Sequence, residues 1–101
     1  MINDSDLKLS GQKALWGHVS PVLRSVSIEN KGNTIYFRYF FDKGYTEDDK
    51  ELLSRAATEI LAEFWQKYDV EEECIEAEYP KKMNHLKNIL YFRHEHNYYR
   101  E

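Results

Sequence analysis

Two β-forming runs face each other across Asn30-Lys31-Gly32-Asn33, and a chain built around that arrangement places a sheet at its centre. Residues 34–42 are dense in aromatic and β-branched side chains, with Ile35, Phe37, Tyr39 and Phe41 at every second position. A period of two gives a strand one apolar face, because successive side chains point to opposite sides. Residues 22–29 alternate more weakly, with Val22, Val26 and Ile28 on one side and Leu23, Ser25 and Ser27 on the other. Between the runs, Asn and Gly tolerate the positive φ that a tight hairpin needs.

The rest of the chain must supply a cover for that sheet. Residues 7–19 read as a short helix with Leu7, Ala14, Leu15 and Val19 on one face; Gly11 and Gly17 weaken it and Ser20-Pro21 ends it. Thr46 and Asp49 fit a capping box, and Glu47, Asp48, Asp49 and Glu51 crowd the positive end of the following helix. Leu53, Ala57, Ile60, Leu61, Phe64 and Tyr68 then recur at helical spacing, so this second helix is expected to run to about residue 68. Residues 71–79 form a third strand with Glu73, Ile75, Ala77 and Tyr79 inward, and residues 89–95 a fourth with Leu90 and Phe92 inward. The order α-β-β-α-β-β predicts an α+β fold, one antiparallel-rich sheet with the long helix packed on one face. The other face is expected to stay partly open and to show Tyr36, Arg38, Phe40, Cys74, Glu76, Glu78, Tyr91 and Arg93.

A chain of 101 residues with 42% apolar and 15% aromatic residues suffices for one core, so 1–101 is expected to form one domain, with a flexible tail from about residue 96. No run approaches the roughly 20 apolar residues of a membrane span. The polar, acidic start does not resemble a secretory signal, and Cys74 is the single cysteine, which leaves no intramolecular disulfide. These features fit a cytoplasmic protein.

Charge is distributed unevenly. Residues 47–79 hold twelve Asp and Glu against three Lys and Arg, a net of -9 within a chain whose total is -4. The flanking segments, 1–46 and 80–101, are net positive at +2 and +3. A field of that sign repels nucleic acid and attracts basic protein surfaces.

Reactive constellations are weak by comparison. The four glycines, at 11, 17, 32 and 44, are scattered, so no phosphate-cradling loop is present. His94 and His96 share one side of a strand, but a third metal ligand would have to come from His18, His85 or a carboxylate at no diagnostic spacing. Cys74 could act as a nucleophile with His85 or His94 as base, yet neighbouring Glu71, Glu72, Glu73 and Glu76 would raise its pKa, the wrong direction for a thiolate. Lys81, Lys82 and Lys87 offer only a short basic loop to RNA, beside an acidic segment. The residues favour a binding protein without a catalytic residue, metal or cofactor.

Four blocks carry a family likeness. Ala14-Leu15-Trp16-Gly17-His18-Val19-Ser20-Pro21-Val22-Leu23-Arg24-Ser25-Val26 resembles the N-terminal signature of small bacterial immunity proteins from contact-dependent growth inhibition systems. Phe37-Arg38-Tyr39-Phe40-Phe41-Asp42, Ala57-Thr58-Glu59-Ile60 and Tyr91-Phe92-Arg93 extend the similarity over about residues 14–93. The resemblance implies a cytoplasmic antidote that binds the toxin domain of a contact-dependent inhibition exoprotein, often a transfer-RNA nuclease, and blocks its active site or substrate cleft. Under this reading Glu47, Asp48, Glu71, Glu72, Glu76 and Glu78 are the expected charge contacts, with Tyr36, Arg38 and Tyr91 beside them. Two other readings are a homodimeric interaction module joined through the open sheet face and, behind it, a His-based enzyme. Oligomeric state is not legible in the sequence.

Overall fold

The computed structural model describes residues 3–62 and 68–93. Within them the elements are α1 (Asp4–Ala14), β1 (Leu23–Lys31), β2 (Thr34–Phe41), α2 (Glu47–Ala62), β3 (Asp69–Glu76) and β4 (Asn88–Phe92). This is the expected α-β-β-α-β-β order, an α+β fold around one four-stranded mixed sheet. The expectations for Phe64, for a helix continuing to about residue 68, for His94 and His96, and for a tail from about residue 96 fall wholly or partly outside the described residues, as does the side chain of Leu61.

Strand order across the sheet is β3-β2-β1-β4. The hairpin forms as its sequence dictates: Lys31 pairs with Thr34 around a two-residue turn, and Gly32 takes φ 60°. Glycine at the first central position matches a type II′ turn. β1 pairs antiparallel with both β2 and β4, whereas β2 and β3 run parallel, joined through α2. A parallel pair needs such a crossover, and a helix is its usual form.

α1 begins earlier than the apolar pattern suggests. The Asn3 side chain caps it by accepting a hydrogen bond from the Asp6 N–H at 2.8 Å, and the helix ends at Ala14, ahead of a turn where Gly17 has φ 82°. Its buried residues are Leu7, Ser10, Gly11 and Ala14. Gly11 is there for contact: a Cβ would meet the Leu90 side chain at 2.5 Å. At the start of α2 the capping box is reciprocal, with the Thr46 N–H donating to Asp49 Oδ2 (2.8 Å) and the Asp49 N–H to Thr46 Oγ1 (3.3 Å).

The main core lies between the sheet and the helices. Ile35, Phe37, Tyr39 and Phe41 of β2 meet Leu53, Ala56, Ala57 and Ile60 of α2, with Leu7, Leu15, Val26, Ile28 and Leu90 completing it. Four face assignments differ from the sequence reading, and one is Phe92, which pairs with Ser25 and packs on the second face instead of inward with Leu90. Leu23 joins Val26 and Ile28 in this core, because the ladder shifts register between Leu23 and Ser25. Tyr91 packs against the same core beside Leu90, because a second shift lies between Val26 and Ser27 opposite β4. In β3 the two faces are exchanged, since parallel pairing sets Glu73 beside Arg38 and Cys74 beside Tyr39.

The second sheet face is only half open. Phe40, Ala77 and Met83 form a smaller buried cluster there, with Ile75 and Phe92 against it. His85 sits beside the rings of Phe40 and Phe92 at 5.7 and 5.3 Å and bonds Ser25 Oγ at 3.0 Å. The Leu86 N–H donates to Ser27 Oγ at 2.9 Å. The segment between β3 and β4 thereby covers Ser25 and Ser27 of β1 and the Phe40 end of β2, and leaves the region of Tyr36, Arg38, Glu71 and Glu73 more open.

Candidate partner-binding surface

β3 is an edge strand, and it is exposed along almost its whole length. Its side chains divide by parity. Glu71 and Glu73 share the open face with Tyr36 and Arg38, where a groove of about 430 Å³ runs between them and Leu86. Arg38 crosses this groove, its Nε donating to Glu73 at 2.7 Å and its Nη1 to the Asn84 carbonyl at 2.8 Å. Lys31 lies 5.8 Å from the Tyr36 ring centroid, within cation–π range.

Glu72 faces α2 instead. It accepts a hydrogen bond from the Tyr39 hydroxyl at 2.8 Å and one from Ser54 Oγ at 3.1 Å. Burial and the Glu72 carboxylate push the Tyr39 phenol well above its ordinary pKa, so it stays a donor. Cys74 lies on this side too. Desolvation against the protein raises its thiol pKa, Glu72 and Glu47 add to the rise, and Lys50 opposes it. The direction is the one expected, though burial rather than the run of neighbouring acids is its chief cause.

Glu47 and Asp48 open α2, where Glu47 pairs with Lys50 at 3.4 Å and Asp48 borders a hollow with Glu51, Leu52 and Arg55. Their carboxylates compensate the helix dipole, a local role. Glu71, Glu76 and Glu78 are exposed and, among the described residues, make no side-chain hydrogen bond or ion pair. Of the nine expected contact residues, the fold brings Tyr36, Arg38, Glu71 and Glu72 together around β2 and β3, with Glu76 farther along the same strand. Tyr91 stands apart on β4, three strand spacings from β3, on the order of 14 Å, and on the helix-covered side.

A polar cluster at one end of the sheet was not singled out by the sequence. Arg24 is fully buried, its Nη1 donating to the carbonyls of Ala77 (2.7 Å) and Lys81 (2.8 Å), with the Tyr79 ring 5.7 Å away. Asp42 accepts hydrogen bonds from Arg93 Nη2 (2.8 Å) and from the backbone N–H groups of Lys43 and Tyr79. Burial alone would raise its pKa, but these donors outweigh it and hold the carboxyl below its ordinary value. Arg93 also donates to the Pro21 carbonyl at 2.9 Å. The signal that could have revealed this cluster was an arginine set among apolar and small residues on the inner strand β1.

Three of the four blocks that carry the family likeness converge on this cluster: Ser20-Pro21-Val22-Leu23-Arg24, the end of β2 with Asp42 just after it, and Tyr91-Phe92-Arg93. Arg24, Asp42 and Arg93 within them build this end of the scaffold, and none of the four blocks includes β3. Among the described residues, no group of three or more His, Cys, Asp and Glu could hold a metal ion, and no helix is long and apolar enough to cross a membrane. A model of the MafI2 immunity protein family matches residues 4–95, and no curated protein matches the chain.

Proposed function

Because the chain belongs to the MafI2 immunity protein family and so neutralises a toxin, we propose that it does so by binding a basic, RNA-cleaving toxin domain through the acidic β3 surface. The toxin would be the C-terminal domain of a contact-dependent inhibition exoprotein, met in the cytoplasm. The protein acts stoichiometrically, as a cover over the active site or substrate cleft, with no chemistry of its own.

The observation that carries this reading is the state of Glu71 and Glu76 on the edge strand and of Glu78 just beyond it, all exposed with no internal partner among the described residues. A nuclease needs a basic surface to hold the phosphate backbone, and an acidic inhibitor can occupy it. Opposite fields speed encounter and select the partner, and their effect falls with ionic strength. Tyr36 and the Arg38–Glu73 pair border the same groove and supply the aromatic and guanidinium groups common at interface centres.

The test is protection. Cells expressing the cognate toxin domain should survive with the wild-type protein and die with Glu71→Lys/Glu76→Lys/Glu78→Lys. Survival with the charge-reversed protein would remove the acidic-surface mechanism.

A further inference from the structure

β3 offers a partner its backbone as well as its carboxylates. In a parallel ladder the N–H and C=O of one residue point toward the same neighbour, and successive residues alternate between sides. The Asp69 N–H donates to the Asn33 carbonyl and the Ala77 N–H to the Phe41 carbonyl, each at 2.8 Å, so both residues face β2. The register between them is unbroken. Glu71, Glu73 and Ile75 therefore also bond inward. Val70, Glu72, Cys74 and Glu76 aim their N–H and C=O groups outward, along an edge that no other described strand covers.

An exposed edge of this kind is a template for another strand. Its charge narrows the choice of occupant. Glu71 and Glu73 flank the edge on one sheet face, Glu72 and Glu76 on the other. A second copy of β3 would set acid against acid on both faces, which cross-strand pairing disfavours. An extended segment bearing Lys or Arg meets a carboxylate whichever face its side chains take.

We propose that β3 is an added-strand site: a lysine- and arginine-bearing segment of the toxin domain extends the sheet by pairing with the outward backbone groups of Val70, Glu72, Cys74 and Glu76. This rests on the reading of a basic toxin partner and specifies how that partner is held. The carboxylates select the segment and the backbone ladder fixes its register.

Amide hydrogen exchange on the ¹⁵N-labelled protein, alone and saturated with the purified cognate toxin domain, reads the edge directly. The outward amides of Val70, Glu72, Cys74 and Glu76 should slow at least tenfold in the complex, while those of Glu71, Glu73 and Ile75, already bonded to β2, change far less. Cys74→Pro deletes one outward N–H where an edge tolerates proline, and should weaken binding at least thirtyfold while the variant still melts cooperatively. If that variant fails to fold, the exchange pattern of the wild-type complex decides. A complex that is sensitive to charge reversal but leaves the outward amides as fast as in the free protein overturns the added strand and leaves the basic toxin standing. Protected outward amides in a complex indifferent to charge reversal would overturn the basic occupant instead.

Discussion

A fully buried arginine costs a small domain a large desolvation penalty unless its donors are satisfied, and Arg24 satisfies them on the backbone of the β3–β4 segment. Arg24→Ala should therefore destabilise the protein by about 2–4 kcal/mol in a denaturant titration, through lost charged hydrogen bonds and a cavity. Arg24→Lys should recover only part of this, because an ammonium lacks the guanidinium's planar fork. Asp42 gives the same end of the sheet a pH dependence. Its carboxyl is held below its ordinary value in the folded state, so its contribution is complete above that ordinary value, 3.8, and is lost as pH falls through the folded one. Thermal melts of Asp42→Asn should show lower stability at neutral pH and a flatter decline on the acid side below about pH 4. Ser10 is the converse case. Its hydroxyl is buried with no partner among the described residues, so Ser10→Ala should raise stability by about 1 kcal/mol by melting or denaturant titration.

At the scale of elements, legibility followed periodicity. The hairpin, the capping box and the apolar stripe of α2 as far as Ile60 each carry a strong repeat or a specific pair of side chains, and each forms as read. β3 carries no such signal. Its residues are polar on both faces, so nothing in Glu71-Glu72-Glu73-Cys74 marks which side turns inward, and only the pairing with β2 settles that Glu72 meets the helix. Tyr91 was misplaced for a related reason: one irregularity in the β1–β4 ladder moves every later side chain to the other face. Edge position also supplies a structural use for the acids that the sequence alone did not suggest, since charged side chains discourage edges from pairing with their own kind. The two acidic groups should separate by stability. Glu47→Lys and Asp48→Lys, at the positive end of the α2 dipole, should each cost about 0.3–1 kcal/mol in thermal or chemical denaturation. Lysine at Glu71, Glu76 and Glu78 should leave stability unchanged or slightly higher, because it relieves repulsion between like charges.

For the whole molecule, the scaffold lies apart from the proposed recognition surface. The helix-covered face and the Arg24–Asp42–Arg93 cluster hold the sheet, and they absorb the conspicuous residues of the family likeness. The groove beside Tyr36, Arg38, Glu71 and Glu73 and the β3 edge remain available, and β3 lies in the segment that carries the chain's net acidity. Fold class could be read before the structure because apolar periodicity determines it; the binding surface could not, because exposed charge has no period. The measurement that bears most directly on the acidic-surface account is calorimetric titration of the cognate toxin domain with the wild-type protein and with Glu71→Lys/Glu76→Lys/Glu78→Lys, at low and high salt. The account predicts that wild-type affinity falls steeply with salt, and that the variant binds at least a hundredfold more weakly at low salt with little salt dependence left. Equal affinity for the two proteins at both ionic strengths would contradict it.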